Sequence, residues 1–112
     1  MNEGLELAHQ IGIEAIRLSR ELEKKRSFAM ANQILRAGTS IGANMREAQS
    51  PESRRDFIHK LKIADKELRE SQHWFKLLED VDGLDLTDLK NKSKSLERII
   101  SKSIATASKR TL

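Results

Sequence analysis

Apolar residues recur along this chain at intervals of three and four over successive stretches. Ala8, Ile11, Ala15, Leu18 and Leu22 form one stripe, widened by Ile13 and Ile16, and Met30, Ile34, Ala37, Ile41 and Ala48 form another. Phe57, Leu61, Ala64, Leu68, Ser71, Phe75 and Leu78 keep strict 4-3-4-3-4-3 spacing, with Ile63, Trp74, Leu77 and Val81 beside them as a second apolar stripe. Leu86, Leu89, Leu96, Ile100, Ile104 and Ala107 complete the pattern. Such spacing gathers side chains on one face of an α-helix, where alternation by two would indicate a strand. It predicts helices over about residues 3–25, 28–48, 51–82 and 86–107.

The punctuation agrees. Asn2, Ser27, Ser50 and Asp85 stand where N-caps are needed, and Pro51 follows Ser50 at a first-turn position that tolerates proline. Gly83 can close the third helix in the left-handed conformation. All the connections are short, which makes consecutive helices antiparallel neighbours. The fold class expected is all-α, an up-down-up-down four-helix bundle forming one domain over residues 1–112.

Residues 35–48, Leu35-Arg36-Ala37-Gly38-Thr39-Ser40-Ile41-Gly42-Ala43-Asn44-Met45-Arg46-Glu47-Ala48, fit this pattern least easily. Each glycine in a helix interior costs about 1 kcal/mol against alanine. Tertiary packing must hold this segment, and Gly38, Gly42 and Ala43 leave room for another backbone, from the same bundle or from a second subunit. Its polar residues Arg36, Ser40, Asn44 and Glu47 follow one another at 4, 4 and 3. They are candidates for a partly buried polar network that sets register, with Arg36 paired to Glu67 or Glu70 on the third helix; the plainer alternative is a solvated face.

Composition narrows the functional classes. Among 112 residues 34% are charged and none is cysteine, which excludes disulfides and thiolate chemistry. No apolar run approaches the ~20 residues of a membrane span. The acidic start, Met1-Asn2-Glu3-Gly4-Leu5-Glu6, is unlike a signal peptide, so a soluble cytoplasmic protein is expected.

Catalytic constellations are wanting. Glu6/His9 and Glu70/His73 have the Glu-x-x-His spacing of carboxylate-bridged metal bundles, for which Glu47 and Glu97 would be further ligands. The first and third helices should run parallel, however, with Glu6 near the start of one and Glu70 about five turns along the other, so the two pairs would sit roughly 20 Å apart in height, and both histidines fall off the apolar stripes. His59 has no nucleophile at informative spacing, and Gly38-x-x-x-Gly42 lacks the preceding strand and following Lys-Ser/Thr of a phosphate loop. No enzyme, metal, cofactor or small-molecule substrate is expected.

The net charge is +4, and residues 85–112 hold seven Lys/Arg against three Asp/Glu. In the expected topology Arg46, Arg54, Arg55, Lys109 and Arg110 gather at the end where the second helix meets the third. That end is the candidate site for a nucleic-acid backbone, RNA or DNA, bound in a salt-sensitive and weakly sequence-dependent way. The plain alternative is a charged surface that serves solubility.

The blocks Arg36-Ala37-Gly38-Thr39-Ser40-Ile41-Gly42-Ala43-Asn44-Met45-Arg46-Glu47-Ala48 and Asp56-Phe57-Ile58-His59-Lys60-Leu61-Lys62-Ile63-Ala64, followed by Trp74 to Leu78, resemble the four-helix bundle proteins encoded in intervening sequences of bacterial large-subunit ribosomal RNA genes. The accessory protein of diversity-generating retroelements is similar. The pattern Ser-Ile-x-x-Asn-Ile-x-Glu falls on Ser40, Ile41, Asn44, Met45 and Glu47, whereas Ala48 and Glu67 depart from residues common in the family. The resemblance implies a bundle assembling as a ring, commonly a homopentamer, with a suspected role in binding RNA or DNA and no catalysis. The expected function is therefore that of a non-enzymatic oligomer with a nucleic-acid or ribonucleoprotein partner. The alternative is a protein-binding scaffold that does not touch nucleic acid.

Overall fold

The computed structural model describes residues 2–109. They form α1 (Asn2–Lys24), α2 (Phe28–Glu47), α3 (Arg54–Asp82) and α4 (Thr87–Lys109). The helices pack up-down-up-down into a rod of 50 × 22 × 19 Å. α1 lies against α2 and α4, and α3 against the same two, while the diagonal pairs make no close backbone approach. No helix among the described residues is long and apolar enough to cross a membrane.

Apolar periodicity places the core. On α3 Leu61, Ala64, Leu68, Ser71, Phe75 and Leu78 are buried, and they meet Ile11, Ile34, Ile41, Met45, Leu96 and Ile100 from the other helices. Ser19, Ser71 and Ser93 share this interior without a polar partner on another helix. Each hydroxyl donates to a carbonyl of its own helix, Ser71 to Glu67 at 2.9 Å, Ser93 to Leu89 at 2.8 Å and Ser19 to Ile16 at 2.8 Å. The second stripe of α3 is less enclosed: Ile63, Trp74 and Leu77 are half-buried, and Val81 is 78% exposed.

Helix ends differ from the sequence reading in two places. α3 begins at Arg54 instead of near Pro51, because Ser53 is the better cap. Its side chain accepts the Asp56 N–H at 3.0 Å, and Asp56 accepts the Glu52 N–H at 3.1 Å, so the two residues satisfy each other's neighbourhood. Ser27 precedes α2 but makes no side-chain cap. The turn is held from the α1 side instead: the Ser27 N–H donates to Leu22 O and the Arg26 N–H to Glu23 O, with Arg26 at φ 64°. This is the hydrogen-bond pattern of a Schellman ending, with arginine where glycine is usual.

At the same end of the bundle as the α1–α2 turn, α3 stops at Gly83, whose φ is 67°. Glu79 then ties the two following segments together. It accepts the Leu86 N–H at 3.1 Å and pairs with Lys90 at 2.7 Å, while Asp85 accepts the Thr87 N–H at 3.1 Å. The hydrogen bond from Lys90, and then that from the Leu86 backbone, hold the Glu79 carboxyl below its ordinary pKa.

The glycines of α2 face α1. A Cβ at position 38 would lie 2.4 Å from the Ala15 Cβ, while one at position 42 would lie 3.7 Å from the nearest atoms of Ala8. The room left by Gly38 is thus filled by the methyl of Ala15 inside this bundle, and Gly42 merely adjoins its neighbour.

These two glycines should respond in opposite senses. Gly38→Ala is expected to destabilise by about 1–3 kcal/mol, since the clashing atom is a Cβ that cannot rotate away. Gly42→Ala is expected to be neutral or to stabilise by up to about 1 kcal/mol through helix propensity. Adding Ala15→Gly to Gly38→Ala should recover much of the loss in denaturant melts. Equal effects of the two single substitutions would contradict the packing described.

Glu79 yields a pH prediction. Because its folded pKa is depressed, its contribution is present above the unfolded value and disappears as pH falls through the folded one. Glu79→Gln should therefore lower the melting temperature at pH 7, and the gap to the parent protein should close below about pH 4.

Candidate nucleic-acid interface

Basic residues on α3 mirror its apolar seam. Arg55, His59, Lys62, Lys66, Arg69, His73 and Lys76 each stand two positions before a seam residue, and all are exposed. At about 100° per residue, two positions carry a side chain to the opposite side of the helix, so one heptad pattern builds both the core and an outward basic row. The row extends about 30 Å, from the 1.5 Å rise per residue.

α4 presents a second row. Lys94, Arg98 and Lys102 follow at intervals of four, Lys109 continues the line, and all are exposed. The only acidic residues of α4, Asp88 and Glu97, lie to either side and are committed to neighbours. Asp88 pairs with Lys92 at 3.1 Å, and Glu97 with Arg69 of α3 at 3.5 Å. That last contact fixes the register of the two rows, bringing Arg69 level with Glu97 and Arg98. The rows therefore run side by side on the face shared by α3 and α4.

Which of these charges are free is decided by the ion pairs. Arg69 is shared between Asp65, at 3.0 Å, and Glu97; the Asp65 hydrogen bond, then the attraction of both carboxylates, raises its pKa. Lys76 pairs with Asp80 at 3.2 Å. Arg55, Lys62, Lys66, Lys94, Arg98, Lys102 and Lys109 have no carboxylate partner among the described residues. An array of solvated cations with no resident counter-charge is suited to phosphate contacts.

The residues expected at the end of the bundle divide accordingly. Arg55 and Lys109 belong to the α3 and α4 rows. Arg54 is exposed at the start of α3 and is engaged in an interaction of its own. Arg46 turns to the α1 side, lining a cleft with Asn2, Leu5, Glu6 and His9. Arg110 lies outside the described residues. The sequence reading assigned these cations by their height along the rod. It missed Lys62, Lys66, Lys94, Arg98 and Lys102, which their repeat at 3 and 4 could have revealed.

The polar residues of α2 do not make one network. Arg36 donates to Glu67 at 3.0 Å, to Gln33 at 3.1 Å and to Glu70, whose same oxygen accepts the Trp74 indole N–H at 3.1 Å. Burial works against the guanidinium charge, but the attraction and hydrogen bonds of Glu70 and Glu67 outweigh it and raise its pKa. Glu47 is separate, pairing with Lys60 at 3.0 Å. Ser40 and Asn44 donate to carbonyls of their own helix, Ala37 at 3.2 Å and Ser40 at 2.9 Å. The reason is reach: short side chains on a helix find the preceding turn before another helix, whereas arginine spans the gap.

No group of three His, Asp or Glu side chains among the described residues is placed to hold a metal ion. Glu70 is already engaged by Arg36 and Trp74.

Comparison with known proteins agrees with this architecture. The model of the 23S rRNA-intervening sequence protein family matches residues 2–105. A crystal structure of a protein with unknown function, from the S23 ribosomal protein family of Bacteroides thetaiotaomicron VPI-5482, is 34% identical. It superposes with a TM-score of 0.85 over 90% of this chain and 97% of that one. No curated protein matches the chain.

Proposed function

The chain belongs to the 23S rRNA-intervening sequence protein family, and from that premise we propose that it is a non-enzymatic, self-associating bundle that binds nucleic acid. The observation that carries this reading is the basic α3–α4 face. Lys62, Lys66, Lys94, Arg98 and Lys102 on it have no carboxylate partner among the described residues, while Asp65, Glu67, Glu70, Glu79, Asp88 and Glu97 are paired with Arg36, Arg69, Lys90 and Lys92. Lysine and arginine on such a face displace counterions from phosphates, and affinity then falls steeply with salt.

Self-association rests on the apolar residues the single chain leaves uncovered. Phe28 is 55% exposed and Leu35 37%, both on α2, and Val81 on α3 is 78% exposed. A second copy would cover them, and the homopentamer implied by the family resemblance is the assembly proposed. Light scattering behind a sizing column should give a mass near five chains, and a monomeric mass would overturn the assembly.

The binding reading is tested by titrating labelled RNA and DNA at two salt concentrations. With about five phosphate contacts per face, log K should fall with log salt at a slope of about −4 to −5 on B-form duplex. Lys62→Gln, Lys66→Gln, Lys94→Gln and Lys102→Gln together should flatten that slope by about 3 to 4. Absence of binding at about 50 mM salt would leave the scaffolding role instead. Binding unchanged in the quadruple variant would move the contact elsewhere.

A further inference from the structure

Taking the nucleic-acid reading as given, we infer that the α3–α4 face is built for a duplex, one cation row to each strand, and reads phosphate backbone without contacting bases. Two parallel rows are the first reason. Lys62, Lys66 and Arg69 lie on α3, and Lys94, Arg98 and Lys102 on α4, joined across by the Arg69–Glu97 contact at 3.5 Å. Packed helices lie ~8–10 Å apart axis to axis. The rows stand on the outer sides of both helices, so their cations are farther apart than the axes and can meet two separate phosphate strands. A single strand offers one line of phosphates and would leave one row unoccupied.

The second reason is that neither row contains Phe, Tyr or Trp. Single-strand binders combine a basic groove with aromatic rings on which bases lie. Here Phe75 is wholly buried, and Phe57 is half-buried against the core. Trp74 is on the α2 side, bonded to Glu70, and Phe28 begins α2. Trp74 meets the α3 row only at His73, their ring centroids 5.2 Å apart. The third reason is rigidity. Both rows stand on uninterrupted helices, so the face presents a straight line of charge over about 20 Å or more. A duplex is itself stiff over a persistence length of about 150 base pairs, and so meets such a line at little conformational cost.

The chemistry named is the paired phosphate backbone, which duplex RNA and duplex DNA share. The decisive experiment uses the full chain and a fluorescent duplex of about 20 base pairs, as RNA and as DNA, with each strand alone as comparison. Affinity for at least one duplex should exceed that for its separate strands by about tenfold or more at equal salt. The row variants then distinguish one line of contact from two. Lys62→Gln with Lys66→Gln, and separately Lys94→Gln with Lys102→Gln, should each weaken duplex binding by about tenfold while affecting single strands much less. RNA and DNA arms tell which groove width the rows fit. Strands bound as tightly as duplex, or one row removable without loss, would overturn the two-row inference and leave nucleic-acid binding itself standing. No binding to any of the probes would overturn the underlying reading.

Discussion

The fold turns on how closely α2 can approach α1. At Ala15 and Gly38 a single methyl fills the space in which any second Cβ would collide, at 2.4 Å. Packing this tight has no slack, so it fixes the rotation of α2 about its own axis. Ile34, Ile41 and Met45 then point inward and Arg36 toward α3. The helix penalty of two glycines is the cost of that approach, and burial of the α2 stripe offsets it. The opposite side of the bundle is held differently. α4 inserts Leu89, Leu96 and Ile100 into the core and is edged by ion pairs to both neighbours, Lys92 with Glu14 at 3.0 Å and Lys90 with Glu79 at 2.7 Å. Partly exposed pairs of this kind contribute about 0–1 kcal/mol each, so they select register more than they supply stability.

That arrangement also sorts the charges. The acids of α3 lie on its flanks, where they meet Arg36 on one side and Lys90 on the other. Its outward line is left to lysine, arginine and histidine. A net charge of +4 on 112 residues describes a mildly basic protein. It conceals an assembly in which Glu14, Glu47, Glu67, Glu70, Glu79 and Glu97 pair across helix–helix seams, while a run of cations without carboxylate partners stands on the outer side of α3 and α4.

Much of this was legible in the sequence. Strict spacing from Leu61 to Leu78 identified the buried face of α3, because a heptad seam has few alternative readings. Arg36 with Glu67 or Glu70 was also accessible, since antiparallel neighbours bring the ends of long side chains together. What escaped were matters of competition. Pro51 marks a helix start by propensity, yet Ser53 with Asp56 caps better and wins. Ser40 and Asn44 looked like members of a network, but backbone carbonyls a turn away outcompete distant partners. The five basic residues were grouped by height along the rod, whereas azimuth separates those among them that the structure describes. Arg46 and Arg55 are near the same end, but one turns toward Glu6 and His9 and the other joins the α3 row.

Azimuth also constrains what the protein can do. A catalytic site needs convergent groups, and convergence requires side chains that point into a shared, enclosed space. In this bundle the interior is filled by aliphatic residues, Met45, Phe75 and three serines that bond to their own helices. The cations without carboxylate partners on α3 and α4 stand instead in rows along the outer surface of straight helices. A divergent, repetitive display suits a ligand that is itself extended and repetitive. Nucleic-acid backbone has that form, and so does a second copy of the bundle against exposed Leu35 and Val81. The same heptad that buries Leu61, Leu68 and Phe75 leaves Arg55, Lys62 and Lys66 on the far side. One periodicity thus supplies both the stability of the rod and the regular spacing of its charge.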